Sequence, residues 1–144
     1  MKKRKAHALW RGKLKNGEGT VKLGSGLFES PYSFRSRFKE GEGTNPEELI
    51  GAAHAGCFSM ALANILAEGG YEPKEISTEA EVSLDVIGGD FAITGINLIT
   101  EASVPGIDKE EFQKHAQMAK ENCPVSKALA GTDITLKAMI RSEG

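Results

Sequence analysis

At 144 residues with a formal net charge of −2, the chain suits one domain of ordinary size and has no positive excess with which to hold nucleic acid. Aromatic residues make up 6% and glycines number 17, a composition that fits turns and close helix packing better than disorder. There are two cysteines, Cys57 and Cys123; in a reducing cytoplasm a structural disulfide between them is not expected, so they point to chemistry or to simple packing.

The N-terminal "MKKRKAHALW" begins like the basic part of a signal peptide, but "RGKLKNGEG" follows where an apolar run should stand, so a solvated terminus is expected. β-strands are expected over about 6–38, in "AHALWRGKL", "GTVKLGSG" and "SPYSFRSRF". Read as a strand, the last places Tyr32, Phe34, Ser36 and Phe38 on one face and Ser33, Arg35 and Arg37 on the other.

Asn45 is a good N-cap, Pro46 suits the first helical position and Glu48 would close a capping box. The helix so started should run over about 46–68 and stop at Gly69-Gly70. Leu49, Ile50, Ala53, Phe58, Met60, Leu62, Ile65 and Leu66 leave it without a polar stripe, so it must be covered on every side. Short strands of one chain cannot supply that cover, which predicts a homodimer. The stretch from Leu49 to Ala67 is apolar enough to be mistaken for a membrane span. However, His54, Ser59, Asn64 and its small residues make lipid insertion weak, and a soluble cytoplasmic protein is expected.

A β-hairpin is predicted over about 76–104. Its first arm turns Ile76, Ala80, Val82, Leu84 and Val86 inward, Gly88-Gly89 makes the turn, and "FAITGINLITEASV" returns. A second helix follows over about 108–122, with Asp108 as N-cap and Glu111 closing the box, then a short helix over about 124–130 and a last strand over about 133–141. The order βββ-α-ββ-α-α-β is an α+β pattern in a single domain, 1–144.

Cys123 stands just before Pro124 and so should cap the short helix, where unpaired backbone N–H groups favour a thiolate. A chance cysteine at a helix corner would look the same. Cys57, mid-helix among Ala, Gly, Phe and Met, should have a raised pKa and on position alone reads as a small core residue. For it to react a cation must come near, and Arg35 and Arg37 are the candidates, with Glu47 or Glu48 to balance the charge. Glu47 precedes Cys57 by ten residues, about 15 Å along a helix, so within one straight helix the two cannot touch. Glu47 would act through an arginine or from a second subunit, or would merely complement the helix dipole.

His54 and Cys57 share a helical face at a spacing metals use, but further ligands would have to come from His7, His115, Cys123 or carboxylates, and no C-x-x-C is present. A Cys57–His54 hydrolase dyad lacks a group to orient the imidazole and a visible oxyanion hole.

Three stretches in this order, "PYSFRSRF", "GTNPEELIGAAHAGCFSMAL" and "NCPVSKAL", resemble the OsmC/Ohr family of cysteine-based hydroperoxide reductases. "AAHAGCFSMAL" with "CPVS" is most similar to its OsmC branch. The resemblance covers nearly the whole chain and implies an intertwined α+β homodimer with long central helices buried between sheets. It implies that Cys57 is the peroxidatic cysteine, Cys123 the resolving one, Arg37 the active-site arginine and Glu47 its carboxylate, with Arg35 and Glu48 outside the site. The reaction implied is reduction of an organic hydroperoxide, and less well of hydrogen peroxide, through a sulfenic acid and a Cys57–Cys123 disulfide. A dithiol, of lipoyl type rather than thioredoxin, would restore the thiols, and no metal, flavin or haem is needed. The competing expectation is a non-catalytic dimeric protein that binds a small ligand or lipid and whose cysteines only pack; a structural zinc protein ranks behind it.

Overall fold

Tyr32 to Phe38 marks the main departure from these expectations. In the structure, a computed structural model that describes residues 1–141, strand β3 (Glu29–Tyr32) ends there and a short helix, α1 (Phe34–Phe38), replaces the expected continuation. The last three residues of the expected domain lie outside the described residues. Ser33 and Ser36 explain the change. Ser36 N donates to Ser33 Oγ while Ser33 N donates to Ser36 Oγ, at 3.1 and 2.8 Å, which is a reciprocal capping box. Phe34 and Phe38, alternate on a strand, lie one turn apart on the helix with ring centroids 4.9 Å apart. Arg35 and Arg37 no longer share a face, because two helical steps turn about 200°.

The chain packs as two units, one ending at Leu49 and one beginning at Ile50. In the first, β1 (Ala6–Arg11), β2 (Glu18–Leu23) and β3 form an antiparallel meander. Gly19 pairs with both Trp10 and Tyr32. A Cβ there would lie 2.6 Å from the indole and 2.7 Å from the phenol ring, so the glycine lets these rings meet edge to face at 5.3 Å.

Helix α2 (Pro46–Glu68) starts as expected: Asn45 Oδ1 accepts from the Glu48 N–H at 2.7 Å and Pro46 is its first residue. The Glu48 carboxylate accepts instead from the Thr44 hydroxyl, at 3.3 Å. In the second unit, β4 (Glu75–Ile87) and β5 (Asp90–Ser103) form the expected hairpin. Its turn is Gly88-Gly89, with φ of +59° and +87°, the conformation a tight two-residue hairpin turn demands. β6 (Asp133–Ile140) lies parallel to β5, giving the order β4-β5-β6. Val86, expected inward, is 56% exposed and sits with exposed Ile87 and Phe91 at the hairpin end, beyond the buried part of the sheet. Thr78 faces inward instead and joins a hydroxyl chain: Ser59 to Thr78 at 2.7 Å and Thr78 to Thr100 at 3.0 Å.

The core of this unit combines Phe58, Leu62 and Leu66 of α2 with Ile96, Leu98 and Ala102 of β5 and Phe112, Ala116 and Ala119 of α3 (Lys109–Asn122). Asp108 caps α3, accepting from the Glu111 N–H at 2.8 Å. α2 thus buries one stripe, His54, Phe58, Leu62 and Leu66, at the four-residue repeat of a helix face. On the opposite side Ala53, Gly56, Met60 and Asn64 are exposed, Met60 by 76%. By length and composition α2 is apolar enough to cross a membrane, the one such helix among the described residues.

Candidate active site

Cys57 stands mid-way along α2, part-buried, and Cys123 is fully buried where α3 meets α4 (Pro124–Ala128). The Cys123 N–H closes α3 by donating to Ala119 O at 3.0 Å, and Pro124 opens α4, so Cys123 occupies the N-cap position of the short helix that its place in the sequence implies. Both thiols are free, with Sγ atoms 2.9 Å apart. That is hydrogen-bonding distance for sulfur and well beyond the ~2.05 Å of a covalent S–S bond. Distant in sequence, the two cysteines form a pair.

Their environments differ. Burial pushes the Cys57 thiol up and its hydrogen bond with Cys123 pushes it further, outweighing a downward pull from the Val125 backbone. Burial also acts upward on Cys123, but the bond with Cys57, the backbone N–H and hydroxyl of Ser126 and the Val125 backbone together carry it below an ordinary thiol. Burial thus leaves the Cys57 thiol slow to ionise by itself, and a nearby cation would favour its thiolate.

In the first unit α1 directs Arg37 to Glu47 in the first turn of α2. Nε meets Oε1 at 3.0 Å and Nη2 meets Oε2 at 2.9 Å, a bidentate grip on a carboxylate only 7% exposed. The Phe38 ring lies 5.3 Å from the Arg37 guanidinium carbon, near enough for a cation–π contact. Arg35 bonds the Glu40 carbonyl oxygen, at 3.2 Å. Trp10, Leu14, Tyr32, Ser33, Phe34, Arg37 and Phe38 line a cleft of about 260 Å³, mostly apolar and aromatic, with one guanidinium in its wall. The aromatic lining lies on β1, β3 and α1 together, which reading each strand separately does not reveal.

His54, fully buried, is not paired with Cys57. Its Nε2 lies 2.8 Å from Ser126 Oγ, and burial lowers its pKa. Ser126 was not singled out by the sequence, although it is the serine of "CPVS". Among the described residues no three His, Cys, Asp or Glu side chains come together as a metal ion would require.

Residues 39–137 match the model of the OsmC-like protein family. Over 140 residues, 96% of this chain and 97% of the relative, the sequence is 51% identical to Peroxiredoxin OsmC of Escherichia coli K12. It is 39% identical to the organic hydroperoxide resistance protein of Xanthomonas axonopodis pv. citri over 98 residues, 67% of each chain. The fold matches the crystal structure of OhrB, the organic hydroperoxide resistance protein of Bacillus subtilis, with a TM-score of 0.73 and 28% identity, covering 95% of this chain and 98% of that one. The chain belongs to the OsmC-like protein family.

Proposed function

We propose that the chain is a thiol-dependent peroxidase that reduces organic hydroperoxides to alcohols. The observation that carries this reading is the pair of free thiols 2.9 Å apart. The names of the relatives, a peroxiredoxin and organic hydroperoxide resistance proteins, point the same way.

In this reading Arg37, held by Glu47, supplies the positive charge that makes Cys57 a thiolate. The thiolate attacks the terminal oxygen of R–O–O–H; the O–O bond breaks, a sulfenic acid forms on Cys57, and RO⁻ takes a proton to become the alcohol. Arg37 donates to the oxygen on which charge develops. Cys123 then attacks the Cys57 sulfur, forming the disulfide and releasing water, and an external dithiol of lipoyl type returns both thiols by exchange. The aromatic cleft beside Arg37 favours a peroxide with an organic tail over hydrogen peroxide.

The working form is a homodimer in the cytoplasm. The exposed side of α2, with Ala53, Gly56 and Met60, is what a second chain would cover, and size-exclusion chromatography with light scattering tests this. One equivalent of cumene hydroperoxide added to reduced protein should remove both thiols and two hydrogen atoms from the intact mass. A ligand-binding dimer with packing cysteines would show neither change, and that result would end this reading.

A further inference from the structure

His54 and Ser126 form a buried polar pair that the thiol chemistry so far leaves without a task. His54 Nε2 lies 2.8 Å from Ser126 Oγ, while its Nδ1 is buried with no hydrogen-bond partner among the described residues. A neutral imidazole has one N–H to place, and burial, which lowers His54 below its ordinary value, keeps it neutral. An N–H buried without an acceptor is a rarer defect than an unfilled acceptor, so the proton belongs on Nε2. His54 therefore donates, and the Ser126 oxygen accepts.

Ser126 is the third residue of α4, counted from Cys123 as the cap. Side chains on a helix lean toward its N-terminus, which puts a hydroxyl at that position on the side of the cap. With its oxygen accepting from His54, the hydroxyl has its one proton left for the Cys123 sulfur, on which both it and the Ser126 backbone N–H act. We infer that His54 is a positioning residue for the resolving step, orienting the Ser126 O–H to donate to the Cys123 sulfur as it attacks the Cys57 sulfenic acid. In that step the S–S bond forms, the Cys57 S–O bond breaks, and the departing hydroxide takes up the proton given by Cys123 to leave as water. The inference rests on the peroxidase reading but concerns its second step alone.

The described groups acting on the Cys123 sulfur are Cys57, Ser126 and Val125, of which Cys57 alone titrates, so the test begins by removing it. In the full chain carrying Cys57→Ala, the ultraviolet absorbance of the Cys123 thiolate is titrated alone and with Ser126→Ala, His54→Leu or His54→Gln. Loss of the oriented donor should raise the Cys123 pKa by about one unit in Ser126→Ala and His54→Leu, a tenfold loss of thiolate. His54→Gln, whose amide nitrogen stands near the place of Nε2, should restore most of it.

With both cysteines present, the dimedone-trappable sulfenic acid should live about threefold longer in Ser126→Ala and His54→Leu, since a more basic sulfur recovers part of the lost rate through nucleophilicity. An unchanged Cys123 titration in either variant overturns the inference, and His54→Met replaces His54→Leu should the latter not fold. The titration uses no peroxide, so a wild-type chain inert to hydroperoxide would remove the peroxidase reading while this result stood by itself.

Discussion

Arg37 grips Glu47 through two parallel bonds of 3.0 and 2.9 Å, and the same guanidinium lines the cleft walled by Trp10, Tyr32, Phe34 and Phe38. Glu47 is nearly buried, whereas the Arg37 side chain stays one-third exposed. The carboxylate is therefore the fixed partner, and it sets the angle at which the remaining N–H donors of the arginine face outward.

Arg37→Ala should slow the hydroperoxide-dependent oxidation of Cys57 by about a hundredfold or more, the range seen when a donor to a developing negative oxygen is removed. Arg37→Lys should recover little, because an ammonium cannot match the two-point grip. Arg35→Ala should react like wild type, since that side chain bonds a carbonyl of its own loop. Stopped-flow consumption of cumene hydroperoxide measures all three, and an Arg37→Ala enzyme with full rate would remove the arginine from the mechanism.

What was legible in the sequence was local. Asn45-Pro46 and Gly88-Gly89 act through the next few residues and make the cap and the turn expected of them, and Cys123-Pro124 marks the expected start of the short helix. Tyr32 to Phe38 reads as a strand because its aromatic residues and its arginines alternate, whereas the pair that decides the local structure, Ser33 and Ser36, is spaced three apart for a helix cap. Distance along the chain hid the rest. Nothing in the spacing of Cys57 and Cys123 brings them together, and resemblance to a family supplied that pairing. Spacing set His54 beside Cys57 as a ligand or base, while the folded chain gives it Ser126.

Removing Cys123 should make Cys57 more acidic. Its hydrogen bond and its charge both raise the Cys57 pKa, and in Cys123→Ala only burial continues to do so. Thiolate absorbance should therefore appear at lower pH for Cys57 in this variant than in the wild-type pair. With hydroperoxide, the same protein should stop at the sulfenic acid and then over-oxidise, gaining oxygen atoms in intact mass instead of losing two hydrogens. A Cys57 titration that moves upward would contradict the pairing.

His54 makes stability depend on acidity with a definite sign. Burial depresses its folded-state pKa below the ordinary histidine value of 6.5, so the folded chain resists a proton that the unfolded chain accepts. Its contribution is fully present above the unfolded value and is lost as pH falls toward the folded one. Urea midpoints measured from about pH 8 to about pH 5 should decline more steeply in wild type than in His54→Gln, which has no proton to gain there. Parallel profiles would mean that the ring is already charged or already solvated in the folded protein.

The two sides of α2 should fail in different ways. Leu62 is fully buried in the stripe with His54, Phe58 and Leu66, and Leu62→Ala should cost about 2–5 kcal/mol through lost transfer energy and the cavity left behind. Met60 is 76% exposed on the far side, so Met60→Asp removes almost no packing within the chain. It would, however, set a charge in the face that a second chain is proposed to cover, where an uncompensated carboxylate is costly. Light scattering should then report half the wild-type mass, and the urea midpoint of wild type should rise with protein concentration while that of Met60→Asp stays constant. A Met60→Asp protein that remains dimeric would move the interface away from this side of α2.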